Sequence, residues 1–166
     1  MSMNLADAAR VFALLGLVAF VPVVRAGEEK VPLKDVPMAV LDAVKARFPA
    51  AELKEAARET EDERTTYEVA LKQAGKAVDV ALTDEGEITE VETELAAKDL
   101  PKAVASAIET KFPKSTIKGA EEIVEFEGDK QTRSFEVLLE TWARKPVEVK
   151  LSPEGKIVKE EEDDES

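Results

Sequence analysis

Apolar side chains recur at every fourth residue in two short stretches of the chain: Val36, Val40, Val44 and Phe48, then Leu100, Val104, Ile108 and Phe112. This spacing puts each set on one face of a helix. Both stretches are punctuated alike. Pro37 and Pro101 fit a first helical turn, where a missing N–H costs nothing, and Asp35 and Asp99 stand beside the positive end of the dipole. Pro49 and Pro113 push Phe48 and Phe112 out of helical backbone angles. The pattern predicts helices over residues 37–47 and 101–111, each about 16 Å long. Burying four such side chains contributes roughly 6–12 kcal/mol, against roughly 1–2 kcal/mol of entropy for each ordered residue. Neither helix stands without a sheet beneath it.

The apolar period then changes from four to two. An extended segment near residues 51–57 and a polar loop at 58–64 lead into an alternating run, 66–72, with Tyr67, Val69 and Leu71 on one face. Gln73-Ala74-Gly75-Lys76 turns the chain, and Val78, Val80 and Leu82 alternate again, the signature of a hairpin with one dry face. Asp84-Glu85-Gly86 gives a second turn with Gly86 free to take positive φ, and residues 87–92 give a last strand carrying Ile88. The order repeats. An extended segment at 115–126, interrupted near Gly119, is followed by a turn at 127–130. Phe135, Val137 and Leu139 then match Tyr67, Val69 and Leu71, and Val147, Val149 and Leu151 match Val78, Val80 and Leu82. Pro153-Glu154-Gly155 matches the Gly86 turn, and residues 156–159 close the sheet.

Duplication explains this order. Residues 34–56 and 98–120 align without a gap, with ten of 23 positions identical. An internal repeat of this kind fixes the architecture before any other signal. The expected fold class is α+β, as two tandem repeats, each one short helix packed on an antiparallel sheet of about four strands. The boundaries are a leader at 1–26, repeats at 31–94 and 95–159, and an acidic, disordered tail at 160–166; residues 27–33 are a charged lead-in without a pattern of their own. A half of about 65 residues buries only about 60% of its surface, so the halves are expected to share an interface.

Composition adds an address and removes several functions. Arg10 precedes an apolar run from Val11 to Val24, and Val24 and Ala26 suit cleavage before Gly27, so residues 1–26 read as a secretory signal peptide. Fourteen apolar residues interrupted by Pro22 fall short of the ~20 that span a bilayer, so no membrane anchor is expected after cleavage. The expected location is periplasmic or secreted. The charge of −13 becomes −14 without residues 1–26, which argues against a nucleic-acid partner. The chain has no histidine and no cysteine, which excludes Ser-His-Asp and Cys-His nucleophiles, His/Cys metal sites and disulfides. Carboxylate pairs are too frequent in so acidic a chain to mark acid–base chemistry. No catalytic residue, metal ligand or cofactor is assigned, and the chain is read as a non-enzyme.

Pro37/Pro101 opening a helix, Phe48-Pro49/Phe112-Pro113 ending it, Tyr67-Glu68-Val69/Phe135-Glu136-Val137 and the closing Gly86/Gly155 turns together resemble the PepSY-like, beta-lactamase-inhibitor-like family of secreted bacterial domains. The resemblance covers roughly residues 31–160. It implies a helix on one face of an antiparallel sheet, with tandem copies side by side so that their other faces form a wider surface. Relatives in this family bind and inhibit hydrolases. The chain lacks the disulfide cysteines of the beta-lactamase inhibitor and shows no match to its contact loops, which argues against beta-lactamase as the target.

The function expected is non-catalytic binding of a protein partner, as an inhibitor of a hydrolase or protease. The alternative is an acidic envelope protein that binds calcium or a small ligand as sensor or buffer. Thr83-Asp84-Glu85-Gly86-Glu87 and the 160–165 acidic run offer oxygen ligands, but without the spacing of a dedicated calcium loop. The one tryptophan is the best candidate contact. Alternation from Phe135 puts Trp142 in register with Leu138 on the face away from the core, so Trp142, Leu138 and Arg144 are the expected partner-binding patch. If the hairpin twists or bulges, Trp142 instead caps the end of the core.

Overall fold

The structure is a computed structural model that describes residues 28–61 and 64–162. The expected signal segment and the last four residues of the expected tail lie outside that range. Nine strands form one sheet: β1 (Glu28–Lys30), β2 (Glu52–Glu61), β3 (Arg64–Gln73), β4 (Lys76–Thr83), β5 (Ile88–Glu94), β6 (Thr116–Glu127), β7 (Lys130–Glu140), β8 (Pro146–Leu151) and β9 (Ile157–Glu162). Strand order follows chain order, and every neighbouring pair is antiparallel. Helices α1 (Met38–Arg47) and α2 (Lys102–Lys111) precede β2 and β6.

The helices start one residue later than the spacing predicts. Pro37 and Pro101 are N-caps with extended ψ of 140°, not members of the first turn, and a 3-10 turn precedes each, at Leu33–Asp35 and Ala97–Asp99. The ends fall where proline requires. Val36, Val40 and Val44 are buried with Tyr67, Val69, Leu71, Val78, Val80 and Leu82, and Leu100, Val104 and Ile108 with the matching set from Phe135 to Leu151. Phe48 and Phe112 are half-buried at the edges of these two cores. Each half thus buries its apolar stripe under its own helix.

The duplication extends to irregularities. Register slips between Leu53 and Glu55 on β2 and between Ile117 and Gly119 on β6, and likewise beside Leu82 on β4 and Leu151 on β8. A bulge adds twist, so matched bulges give the two halves matched curvature. Gly86 and Gly155, at φ of 87° and 82°, close the turns after β4 and β8. Each turn lies against its helix: a Cβ on Gly86 would stand 2.5 Å from the carbonyl oxygen of Ala39, and one on Gly155 2.5 Å from that of Ala103.

Pairing of β5 with β6 joins the halves, through the register Glu90↔Glu125 to Glu94↔Glu121. Both helices lie on the same side. Val91 belongs to the first core and stands opposite Val124; on that same face of β6, Ala120 belongs to the second core while Phe126 packs against the first. The Arg47 guanidinium sits 5.9 Å from the centre of the Phe126 ring, so the end of α1 reaches a strand of the other half.

Three expectations need correction at the strand level. The charged lead-in is not patternless coil: residues 28–30 form edge strand β1, held by backbone pairing and by ion pairs of Glu29 with Arg58 and Lys30 with Glu55 at 2.6 and 2.7 Å. The loop expected at 58–64 is strand through Glu61. The tail expected from residue 160 begins later, because Glu160–Glu162 pair with β8 as part of β9.

Candidate functional site

Three turns of the sheet share one design. Gly86 and Gly155 donate N–H to the carbonyls of Thr83 and Ser152 at 3.0 and 2.9 Å, and Arg144 does the same to Thr141 at 2.9 Å. In each, the hydroxyl of the first residue accepts the N–H of the fifth: Thr83 from Glu87, Thr141 from Lys145, Ser152 from Lys156. The fourth residue must take positive φ, which costs an L side chain about 1 kcal/mol or more. Two turns meet that demand with glycine. The β7–β8 turn uses Arg144, at φ 62°.

This turn carries Trp142, 78% exposed. The sequence alternation does not reach it: β7 ends at Glu140, and Trp142 is the second residue of the turn, not a strand residue in register with Leu138. Leu138 is half-buried on the face without helices, opposite Glu148 and beside Gly119. Trp142 and Arg144 share one turn, and Leu138 is not with them. Trp142 instead lines a cavity of about 230 Å³ at the C-terminal end of α2, with Lys111, Phe112, Pro113, Ser115, Thr141, Lys145, Val147 and Glu162. Lys111 is ion-paired to Glu160 at 2.7 Å and lies 5.8 Å from the Phe112 ring. The internal repeat gave a way to foresee this: the corresponding turn in the first half is the two-residue Ala74-Gly75, with no aromatic or basic residue.

The second candidate surface is the sheet face that no described helix covers. Carboxylates recur along it, with Lys30, Lys72, Lys150 and Lys159 among them. Glu68, Asp79 and Glu92 of the first half recur as Glu136, Glu148 and Glu161 of the second, and Asp79 stands opposite Glu92 as Glu148 stands opposite Glu161. At the seam Glu90 faces Glu125 and Glu94 faces Glu121. Lys150 reaches from β8 across β7 to Glu125, at 3.0 Å. Ser134, opposite Ile123 on β6, is buried on this face. Burial, then the Glu161 charge opposite, push the Glu148 carboxyl up to about 7, with a hydrogen bond from Glu136 acting the other way. Among the described residues, no three acidic side chains converge closely enough to hold a metal ion, the Thr83–Glu87 turn included. Sequence counting could not single out this array in a chain with 36 acidic residues; only strand register does so.

Such a molecule offers surfaces, not reacting groups: a nine-stranded sheet with both helices on one side, an acidic face on the other, and an aromatic corner at one end. That defines a tandem-repeat protein built on one antiparallel sheet. The profile of the beta-lactamase-inhibitor-like, PepSY-like family matches residues 23–90 and 75–159, and the chain belongs to that family. Solved structures share the fold at low identity. A periplasmic protein from Bacteroides eggerthii is 14% identical, with a TM-score of 0.64 over 76% of this chain and 88% of its own. A BLIP-like protein from Bacteroides fragilis is 21% identical, at 0.60 over 77% and 86%. A DUF2874 family protein from Bacteroides uniformis is 15% identical, at 0.63 over 76% and 88%. None of the curated proteins matches the chain. No helix among the described residues is long and apolar enough to cross a membrane.

Proposed function

We propose that this chain is a periplasmic, non-catalytic binding module that docks a protein partner, a hydrolase with a basic surface, on the helix-free face of its sheet. The observation that carries this reading is the placement of both helices on one side. A duplicated unit could have alternated its helices and covered both faces. Here no described helix covers the second face, and it is lined by carboxylates, which the charge of a basic partner complements. Binding works by surface complementarity, so the absence of histidine and cysteine from the chain is no obstacle. Removal of residues 1–26 during export fits the same reading, as do the related structures described as periplasmic.

The test uses purified basic hydrolases of the bacterial envelope, one at a time. Light scattering should show a one-to-one complex with slowed turnover for one of them. The double variant Glu68→Lys/Glu136→Lys, at equivalent positions of the two halves and confirmed as folded by circular dichroism, should lose it. If no hydrolase forms a complex, or if the charge reversal leaves the complex intact, the reading fails. Melting that rises with micromolar calcium in the absence of any protein would favour the sensor alternative instead.

A further inference from the structure

The corner around Trp142 is distinct from the helix-free face. Trp142 shares its cavity with Phe112, Pro113 and Val147, residues of the helix-covered side. Thr116 pairs with Glu140, so the loop after α2 and the β7–β8 turn run side by side. That brings Lys111, Lys114, Arg144 and Lys145 to one end of an otherwise acidic molecule. Among the described residues neither Lys114 nor Arg144 forms an ion pair, and both are exposed. Their backbones are also unusual. Only three non-glycine residues among those described have positive φ, and two of them are Lys114 (63°) and Arg144 (62°).

We propose that this corner is a second binding surface, and that it takes an acidic peptide segment of a protein partner, seating one apolar side chain of that segment in the cavity between Trp142 and Phe112. Four observations support it. An exposed tryptophan beside an apolar cavity, with arginine next to it, has the composition of an interface hot spot. The cavity, at about 230 Å³, lies below the roughly 300–1,000 Å³ of small-molecule sites, so it suits one side chain better than a whole ligand. Glu160 pairs with Lys111 and Glu162 lines the cavity, which leaves Lys114 and Arg144 as the cations that complement carboxylates, and at 0.15 M salt charges of the acidic face more than about 8 Å away are largely screened. Finally, the repeat acts as an internal control: the same sheet position in the first half closes with Ala74-Gly75, so the fold itself requires neither Trp142 nor Arg144.

Trp142 is the only tryptophan in the chain, so its emission reports on this corner alone. The probe is the acetylated, amidated pentapeptide Asp-Glu-Leu-Glu-Asp, compared with Lys-Lys-Leu-Lys-Lys and with Asp-Glu-Ser-Glu-Asp. The acidic leucine peptide should shift Trp142 emission to the blue with saturation, and the lysine and serine peptides should bind at least tenfold more weakly. Arg144→Gly, which relieves the turn while removing the charge, should weaken binding about fivefold to tenfold, and Arg144→Lys should restore most of it. No saturable shift, a lysine peptide that binds as well as the acidic one, or Arg144→Gly binding like wild type would each overturn the proposal. Those results leave the hydrolase test untouched, since that test varies residues of the other face.

Discussion

Gly86 and Gly155 carry two demands at once, and Gly75 carries only one. All three have φ between 82° and 87°. A Cβ on Gly75 would meet nothing within 4 Å, whereas on Gly86 it would meet the Ala39 oxygen at 2.5 Å and carbon at 2.8 Å, and on Gly155 the Ala103 oxygen at 2.5 Å and carbon at 2.9 Å. Alanine at Gly75 should therefore cost only the left-handed strain, about 1 kcal/mol. Alanine at Gly86 or Gly155 adds a collision with the backbone of the first helical turn. No rotamer relieves it, so either the turn or the helix must move against Val40 or Val104, both fully buried.

Overpacking of this kind costs about 1–3 kcal/mol, which brings each substitution to roughly 2–4 kcal/mol in all. For a domain of this size, 1 kcal/mol shifts Tm by about 2–4 °C, so Gly75→Ala should lower Tm by a few degrees and the other two by roughly 4–16 °C. Thermal melts of the mature protein by circular dichroism measure this directly. If Gly75→Ala destabilises as much as Gly86→Ala, the turn–helix contact is not what these glycines serve, and the reasoning fails.

Three more outcomes follow from the same geometry. Arg144→Gly should raise stability by about 0.5–1 kcal/mol in urea melts, because it places glycine at the left-handed position as in the two sister turns; a loss would mean that the Arg144 side chain packs. Glu148 should make stability fall as pH rises from about 5 to 8, since its folded-state value near 7 lies above the unfolded value of 4.5 and the folded protein binds the extra proton between them. Discounted for solvent screening of a half-buried carboxyl, this amounts to about 1 kcal/mol, so Glu148→Gln should melt higher than wild type at pH 8 and alike at pH 5. Sodium chloride raised from 0.02 to 0.5 M should increase Tm, because a chain with a net charge of −13 repels itself and salt screens that repulsion; a flat response would mean that ion pairs such as Lys150–Glu125 already offset the excess.

The parts of this fold that were legible in the sequence are those where local chemistry and tertiary burial agree. Proline marks both ends of each helix, and alternation at Tyr67, Val69 and Leu71 coincides with a face that is buried. Strand ends were not legible where both faces are polar. Residues 58–61 and 160–162 show no apolar period and are strand only because a neighbouring strand supplies backbone partners. β1 is the limiting case: three charged residues with no pattern at all, paired at an edge. Alternation misplaces Trp142 because β7 stops at Glu140, where neither glycine nor proline marks the end. The usual mark of such a turn is glycine at its fourth position, and here that position is Arg144. Comparison with Thr83–Glu87 and Ser152–Lys156, each opening on a hydroxyl residue, was the signal that could have found it.

A sheet made by duplication inherits its core twice, so differences between the halves locate what the fold itself does not demand. The cores match at every position but one, Val91 of the first half standing where the second has Glu160, and the bulges and the glycine turns against the helices match as well. The departures lie at the surface. Where the first half turns on Ala74-Gly75, the second has the longer Trp142 turn, with Arg144 at positive φ. The seam, which either half alone would present as a free edge, brings Glu90 against Glu125 and Glu94 against Glu121, with Lys150 reaching Glu125 at 3.0 Å. The repeated helix, core and turns account for how the molecule stands, and the turn that carries Trp142 and Arg144 is where the two halves part.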